Sequence, residues 1–463
     1  RLRGTMKAWS LCGSFVLTTL ARAERLSKYK TDDIAQANSS VRWFTPSRME
    51  YVKSKMAIEY EVIKPFTSKA DSLQVELASG TPKVAFLFLT MKDFPWEELW
   101  DKFFQDAPKS QYSIYIHRAL LKDEEQRKTQ KLPLAKYGPI DVPWVRTAWC
   151  ALFGVEVASL FAAMEDPLNV QFVFVSDSSV PLKPFSYVYD ELARNSPQTS
   201  KICLASRAMS PHAKSEFTTQ ESTRSCFFRD FLRDINPRTM KHHQWAVFNR
   251  PHAWKIVKYA EEALIVYEVA WLNAAPDLDV TAEGCSDEAV PLTALLYSLE
   301  AEKKSTGNTW TDLTRLGVEQ NCLTFIRWRN CFVGTDLDLS TPGKDFLTLW
   351  KNMNEVMHLG SIDLSKSALK RELNGFPHAF SNITEGYLET LVSQNFMFAR
   401  KFHPGAYVSE DNAGWFHNPK RPKEALTEAL PKLWSKLNQA KAQKSQWSLL
   451  EFVGRPGDPL RKP

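Results

Sequence analysis

Residues 170–182 read Val170-Gln171-Phe172-Val173-Phe174-Val175-Ser176-Asp177-Ser178-Ser179-Val180-Pro181-Leu182. The run VQFVFV is β-branched and aromatic without polar alternation, which predicts a strand buried on both faces, as in the parallel sheet of an α/β domain. In such sheets a ligand sits outside the carboxyl ends of the strands, and Ser176–Ser179 stands at that place. A Ser/Asp turn that only caps a core strand has the same composition, so the stretch alone leaves both readings open.

The flanking sequence repeats the theme. Val84–Thr90, VAFLFLT, predicts another buried strand, Trp96–Phe104 an amphipathic helix, and Tyr112–His117, YSIYIH, a second strand. Strand–helix–strand alternation with turn residues between the elements marks a Rossmann-like βαβ unit. No GxGxxG follows the first strand, so a dinucleotide fingerprint is absent. Val142–Glu165 carries apolar residues at helical spacing, with Trp144 and Arg146 opening that helix at the edge where His117 and Arg118 end their strand. A helix over Phe185–Ala193 and a strand over Lys201–Leu204 follow; the polar loop Ser206–Pro237, with Arg224, Arg229 and Arg233, is placed over the cleft. Lys241–Pro251, KHHQWAVFNRP, reads as a strand with His242-His243 at its solvated start, and a helix Ala253–Ala263 comes next. Helix Ala289–Glu300 is preceded by Cys285-Ser286-Asp287-Glu288. Ser286 fits an N-cap, and Asp287 and Glu288 fall in the first turn, where carboxylates stabilise the macrodipole by roughly 0.3–1 kcal/mol.

At 463 residues the chain exceeds what one core usually serves, so one large domain with appendages, or two domains, is expected. A net charge of +6, spread along the chain, does not argue for nucleic acid. Arg1, Arg3 and Lys7 precede an apolar stretch, Ala8–Leu20, and the small-x-small triplet Ala21-Arg22-Ala23; this reads as a secretory signal peptide with Met6 as initiator. The stretch is shorter than the ~20 apolar residues of a bilayer span, which leaves a signal-anchor, and membrane association through the N-terminus, as the variant reading. Removing Cys12 with that leader leaves Cys150, Cys203, Cys226, Cys285, Cys322 and Cys331, an even set suited to disulfides in an oxidising compartment. Asn38-Ser39-Ser40 and Asn382-Ile383-Thr384 are sequons in keeping with it. No C-x-x-C or HExxH occurs, so nothing supports a zinc site.

Four segments result: residues 1–23 as leader or anchor, 24–82 as a stem or wrapping segment, 83–405 as the catalytic domain and 406–463 as a C-terminal extension. The stem has a helical patch at Met49–Val62 interrupted by Pro46 and Pro65, and the extension has a helical stretch, Glu424–Lys444, that Pro431 divides.

In order, VAFLFLT, YSIYIH, the VPW-anchored helix, FVFVSDSSVPL, KHHQWAVFNR, CSDEAVPLTAL, TFIRW at Thr324–Trp328 and NFMFARKF at Asn395–Phe402 resemble the core-2/I-branching β-N-acetylglucosaminyltransferase-like family, plant and protist branches included. The resemblance runs from about Lys83 to Gly405. It implies a GT-A-like α/β fold and an inverting transfer of a GlcNAc-like or xylose-like sugar from a UDP-sugar to a glycan or glycoprotein hydroxyl. It further implies the Golgi lumen, and neither a metal nor another cofactor. Carried over motif by motif, it makes Glu288 the general base, with Asp287 beside it orienting the loop or the acceptor. Ala289 stands where many relatives have His, and any role of that His is lost. Lys401 matches the diphosphate-binding Lys of FARKF, with Arg400 next to it, and a second basic residue of the family falls near His378, a weaker clamp. Trp328 matches an aromatic that stacks on the acceptor sugar, although a Trp there serves equally well as core. Asp177, His117 and Arg146 line the nucleotide side.

Chemistry fits those types: inversion needs a carboxylate to take the acceptor proton and positive charge at the departing diphosphate. Two competing readings stay open. A catalytically impaired relative of the same fold would only bind glycans or act as a scaffold. A metal-dependent enzyme would use Asp177, the one carboxylate at the strand end; Asp277-Leu278-Asp279 and Asp336-Leu337-Asp338 follow no strong strand.

Overall fold

The computed structural model describes residues 46–73, 79–91, 93–148, 151–203, 242–274, 285–326, 379–410 and 422–452. Helix α1 (Pro46–Thr67) precedes β1 (Lys83–Thr90), helix α2 (Glu97–Phe104), β2 (Tyr112–Arg118) and β3 (Ile140–Asp141). Helix α3 (Phe153–Met164) leads into β4 (Asn169–Ser176), the strand expected at VQFVFV, all of whose residues are buried. Then come β5 (Val180–Pro181), β6 (Ser200–Ile202), β7 (Val247–Asn249), helices α4 (Arg250–Lys258), α5 (Ala260–Ala274) and α6 (Val290–Ala301), and β8 (Val318–Gln320). The central sheet has seven strands in the order β3-β2-β1-β4-β7-β6-β8. The β3-β2-β1-β4 part is parallel, and β7 runs antiparallel to β4. Helices flank this sheet, the architecture expected of a GT-A-like fold.

Alternation along β1 explains the two layers. Ala85 and Leu87 enter one core with α3, α4 and α6, whereas Val84, Phe86 and Phe88 enter the other with α2. That second core is aromatic: Trp100 lies 4.8 Å from Phe88, and Phe86 packs edge-on against Phe103 and Phe104.

Three short strands form a second sheet, β5-β11-β9, with β9 at Thr324–Ile326 and β11 at Phe398–Arg400. Because β5 follows directly on the Ser176–Ser179 turn and pairs with β11, the FARK segment is laid beside the end of β4. The third sheet joins β10 (Phe380–Thr384), β12 (Phe402–Ser409) and β13 (Pro422–Ala425). From it helix α7 (Leu426–Phe452) buries Leu426, Leu430 and Trp434 in the aromatic core. Residues beyond Gly405 thus pack on the same body.

Several local expectations are corrected. The helix before β4 starts at Phe153, not at Val142: Val142–Ala148 is extended, with Val142 N–H on the Ile116 carbonyl and the Trp144 indole on the Ala119 carbonyl. Pro143, which has no N–H to give, suits that extended path. The Phe185–Ala193 helix stops its α turns at Tyr189 and continues as a π turn, Asp190–Asn195. His242 and His243 are fully buried rather than solvated, because the backbone N–H of each joins another element, at Glu288 O and Cys203 O. Pro65 lies in the last turn of α1 and interrupts nothing. Pro431 does not divide α7 either; the Thr427 carbonyl that a proline four residues on leaves free accepts from Lys102 Nζ at 3.1 Å.

A Cys203–Cys322 disulfide, spanning 119 residues of sequence, ties the end of β6 to the approach to β9. Its removal in a Cys203→Ser/Cys322→Ser double variant is expected to lower unfolding stability by about 2–4 kcal/mol, read from denaturant melts beside wild type. Among the described residues no helix is long and apolar enough to cross a membrane. The leader and its anchor variant lie outside the described residues.

Candidate active site

Strand order reverses at β1, which has β2 on one side and β4 on the other, so the carboxyl ends of β1 and β4 form the switch point where open α/β sheets bind their ligands. Asp177 closes that switch point: its carboxylate accepts from the Met91 N–H at 2.9 Å. The turn beneath is rigid. Ser179 Oγ accepts from Ser176 N–H and lies 2.9 Å from Ser176 Oγ, and the Trp100 indole donates to the Ser179 carbonyl. A plain capping turn would end there, but this one also receives the start of β12, just after Arg400 and Lys401, through the Phe402 N–H on the Ser178 carbonyl.

Arg400 closes β11 and is 9 % exposed. Its guanidinium lies 4.0 Å from the Trp245 ring centroid and faces Asp177, Glu288 and Asp287. Burial pushes it below its ordinary value to about 9, the three carboxylates opposing, so it stays charged at neutral pH. Burial pushes Lys401 down to about 8; Arg400 adds to that shift and Asp177 resists it. Two buried cations side by side supply donors suited to an anion, with Asp177, Asp287 and Glu288 balancing their charge until one arrives.

Opposite stand Asp287 and Glu288. Ser286–Glu288 form a single 3-10 turn before α6, and Ala289, not Ser286, is the residue capping that helix. Ser286 is diverted because its hydroxyl donates to Glu59 Oε1 at 2.7 Å. The turn is pinned at both ends: Cys285 is disulfide-bonded, and the Glu288 carbonyl accepts from the His242 N–H at 2.7 Å. Glu288 keeps a sliver of exposure, 7 %. The assembled site can therefore hold an anion at Arg400 and Lys401 beside a carboxylate able to take a proton.

His117 and Arg146 are not among the charges facing Arg400 or Lys401. The His117 ring is buried, its Nε2 accepts from the Val145 N–H, and burial pushes it down to about 4, so it is neutral. Arg118 is spent on Asp141, to which it donates twice, and Arg146 is exposed on the extended segment. Trp328, His378, the Ser206–Pro237 loop and both Asp-Leu-Asp triplets lie outside the described residues. Sequence reasoning overlooked Trp245, although the KHHQWAVFNR motif contains it, and also Glu59 and Glu156 behind the Asp-Glu pair.

Residues 84–312 match a family model described as Core-2/I-Branching enzyme. A curated relative, glycosyltransferase BC10 of Oryza sativa subsp. japonica, is 28% identical over 199 residues, which is 42% of this chain and 45% of that protein. The match thus spans less than half the length of this relative. Asp177, Asp287 and Glu288 fall within the family match; Arg400 and Lys401 lie beyond it.

Proposed function

We propose, from the premise that this chain belongs to the core-2/I-branching enzyme family through its residues 84–312, that it is an inverting glycosyltransferase using a UDP-sugar. The acceptor is a hydroxyl of a glycan or glycoprotein, and no divalent metal takes part. One observation carries this reading: at the carboxyl end of β4, Arg400 feels the charges of Asp177, Asp287 and Glu288, and Lys401 beside it feels that of Asp177.

In the proposed step Glu288 takes the proton of the acceptor hydroxyl, and that oxygen attacks the anomeric carbon. The bond from that carbon to the diphosphate oxygen breaks, its electron pair leaves with UDP, and the configuration inverts. Arg400 and Lys401 offset the charge that grows on the diphosphate, in a site dry enough for each to count. Metal independence is supported by the same geometry, since the single strand-end carboxylate, Asp177, is engaged by the Met91 N–H and the two cations. The disulfides at Cys203–Cys322 and Cys285 support placement in the secretory pathway, in the Golgi lumen.

Stereochemistry tests the reading. With an α-linked UDP-sugar, early NMR spectra should show a β-linked product, or β-sugar where water is the acceptor; an α product would overturn the single-displacement step. Donor binding should also follow the Lys401 charge. Without ligand, burial lowers the Lys401 ammonium to about 8, whereas a bound diphosphate favours the charged form. UDP affinity is therefore expected to fall by up to about tenfold per pH unit above 8, and Lys401→Arg should flatten that slope in calorimetric titrations.

A further inference from the structure

The turn that presents Glu288 is held from behind by a side chain of α1, a helix that precedes the family-matched residues 84–312. Glu59 Oε1 accepts from Ser286 Oγ at 2.7 Å and from Phe153 N–H at 3.0 Å, so one carboxyl oxygen joins the turn to the first residue of α3. Glu59 itself is 1 % exposed. The seat of α1 is built for this approach: a Cβ on Gly154 would lie 2.6 Å from Val62 Cγ1, so any larger residue there would push α1 away.

We propose that Glu59 is a positioning residue for sugar transfer, acting through Ser286 to fix the turn that presents Glu288. The role rests on the assignment of Glu288 as base. Four carboxyls share this wall: Glu59 from α1, Glu156 from α3, and Asp287 and Glu288 from the turn. Four buried negative charges would repel one another, and the rear pair avoids this by keeping protons. Burial pushes Glu59 up to about 8, with the Asp287 charge adding and the Ser286, Gly154 and Phe153 donors opposing. Burial, reinforced by Asp287, holds Glu156 well above the carboxylate range, and the Gln244 amide opposes that shift. Tyr267 of α5 faces the same group and stays neutral, its hydroxyl pushed up by burial and by Glu59, Asp287 and Glu288. From α4, which also packs on α1, Lys258 reaches Asp71 instead. The front pair, Asp287 and Glu288, faces Arg400 instead.

Protonated Glu59 is mimicked by glutamine, which separates this role from simple packing. In UDP-release assays at about pH 6.5, Glu59→Ala is expected to lower kcat about tenfold or more with UDP affinity nearly unchanged. Glu59→Gln is expected to rescue kcat to within about threefold of wild type, since the amide oxygen still accepts from Ser286 and Phe153. A second readout needs no turnover. The folded carboxyl holds its proton up to about pH 8, whereas an unfolded one releases it near 4.5, so wild type should lose thermal stability as pH rises between those values. Glu59→Gln should lose less. If Glu59→Ala does not fold, Ser286→Ala removes one donor while sparing the core and should lower kcat without changing UDP affinity.

The proposal is overturned if Glu59→Gln is as impaired as Glu59→Ala, or if Glu59→Ala or Ser286→Ala keeps full kcat. If Glu288→Gln still turns over, the base assignment falls and takes the positioning role with it. If Glu288→Gln is inactive and the Glu59 and Ser286 variants are not, only the positioning role falls.

Discussion

Glu288→Gln is expected to slow UDP release by about 10²–10⁴-fold while leaving UDP affinity within about twofold of wild type. Glutamine keeps the shape and loses only the basic oxygen. Backbone contacts that hold the turn survive the change, since the Glu288 N–H donates to the Cys285 carbonyl and its carbonyl accepts from His242. Alanine would be a poorer test, because it would open a void in a nearly closed wall. Losing the Glu288 charge leaves Asp177 and Asp287 facing Arg400, so the guanidinium keeps its charge and the diphosphate its partner. A variant that binds UDP normally and turns over slowly is the expected outcome, measured by UDP release alongside calorimetry. Unimpaired turnover would move the base elsewhere, with Asp287 the nearest carboxylate to examine.

Arg400→Ala is the second large effect, and it acts on binding and folding together. Removing one partner from a buried set of charges leaves the others uncompensated, which costs about 3–5 kcal/mol in comparable sites. Here the stranded groups would be Asp177, Asp287 and Glu288, and the Trp245 ring would lose its cation. UDP affinity is expected to fall about 100-fold or more, since the remaining cation, Lys401, is a point charge without the guanidinium's paired donors. Arg400→Lys should recover part of the thermal stability but less of the UDP affinity, because an ammonium balances the carboxylates yet cannot fork onto two phosphate oxygens. Thermal melts and UDP titrations on the same samples separate the two losses.

Much of this was legible from local pattern. VQFVFV and VAFLFLT have no polar face, and both became inner strands of the sheet with side chains in two cores. The Ser176–Ser179 turn stands at the switch point because strand ends and strand order are set by those runs. Asp177, Asp287, Glu288, Arg400 and Lys401 were singled out from motifs, and the structure brings them together.

What stayed hidden depends on contacts between distant segments. Trp245 under Arg400 and Glu59 behind Ser286 are 155 and 227 residues from their partners, separations at which no periodicity speaks. Ser286 has the chemistry of an N-cap, and only the arrival of Glu59 diverts its hydroxyl. His242-His243 looks hydrophilic in sequence, yet the pair enters the interior because its backbone bridges Glu288 and Cys203. Pro431 reads as a breaker until Lys102 supplies the donor its neighbour needs.

On the proposed function, this chain's own cations, Arg400 and Lys401, take the place that a divalent metal has in many nucleotide-sugar enzymes. UDP release from a panel of UDP-sugars, with a glycan acceptor and EDTA present, tests it most directly. Release is expected from at least one donor at a rate that EDTA does not change and that Lys401→Ala sharply reduces. Release that appears only on adding a divalent cation, and that Asp177→Asn abolishes, would contradict it and make Asp177 a metal ligand.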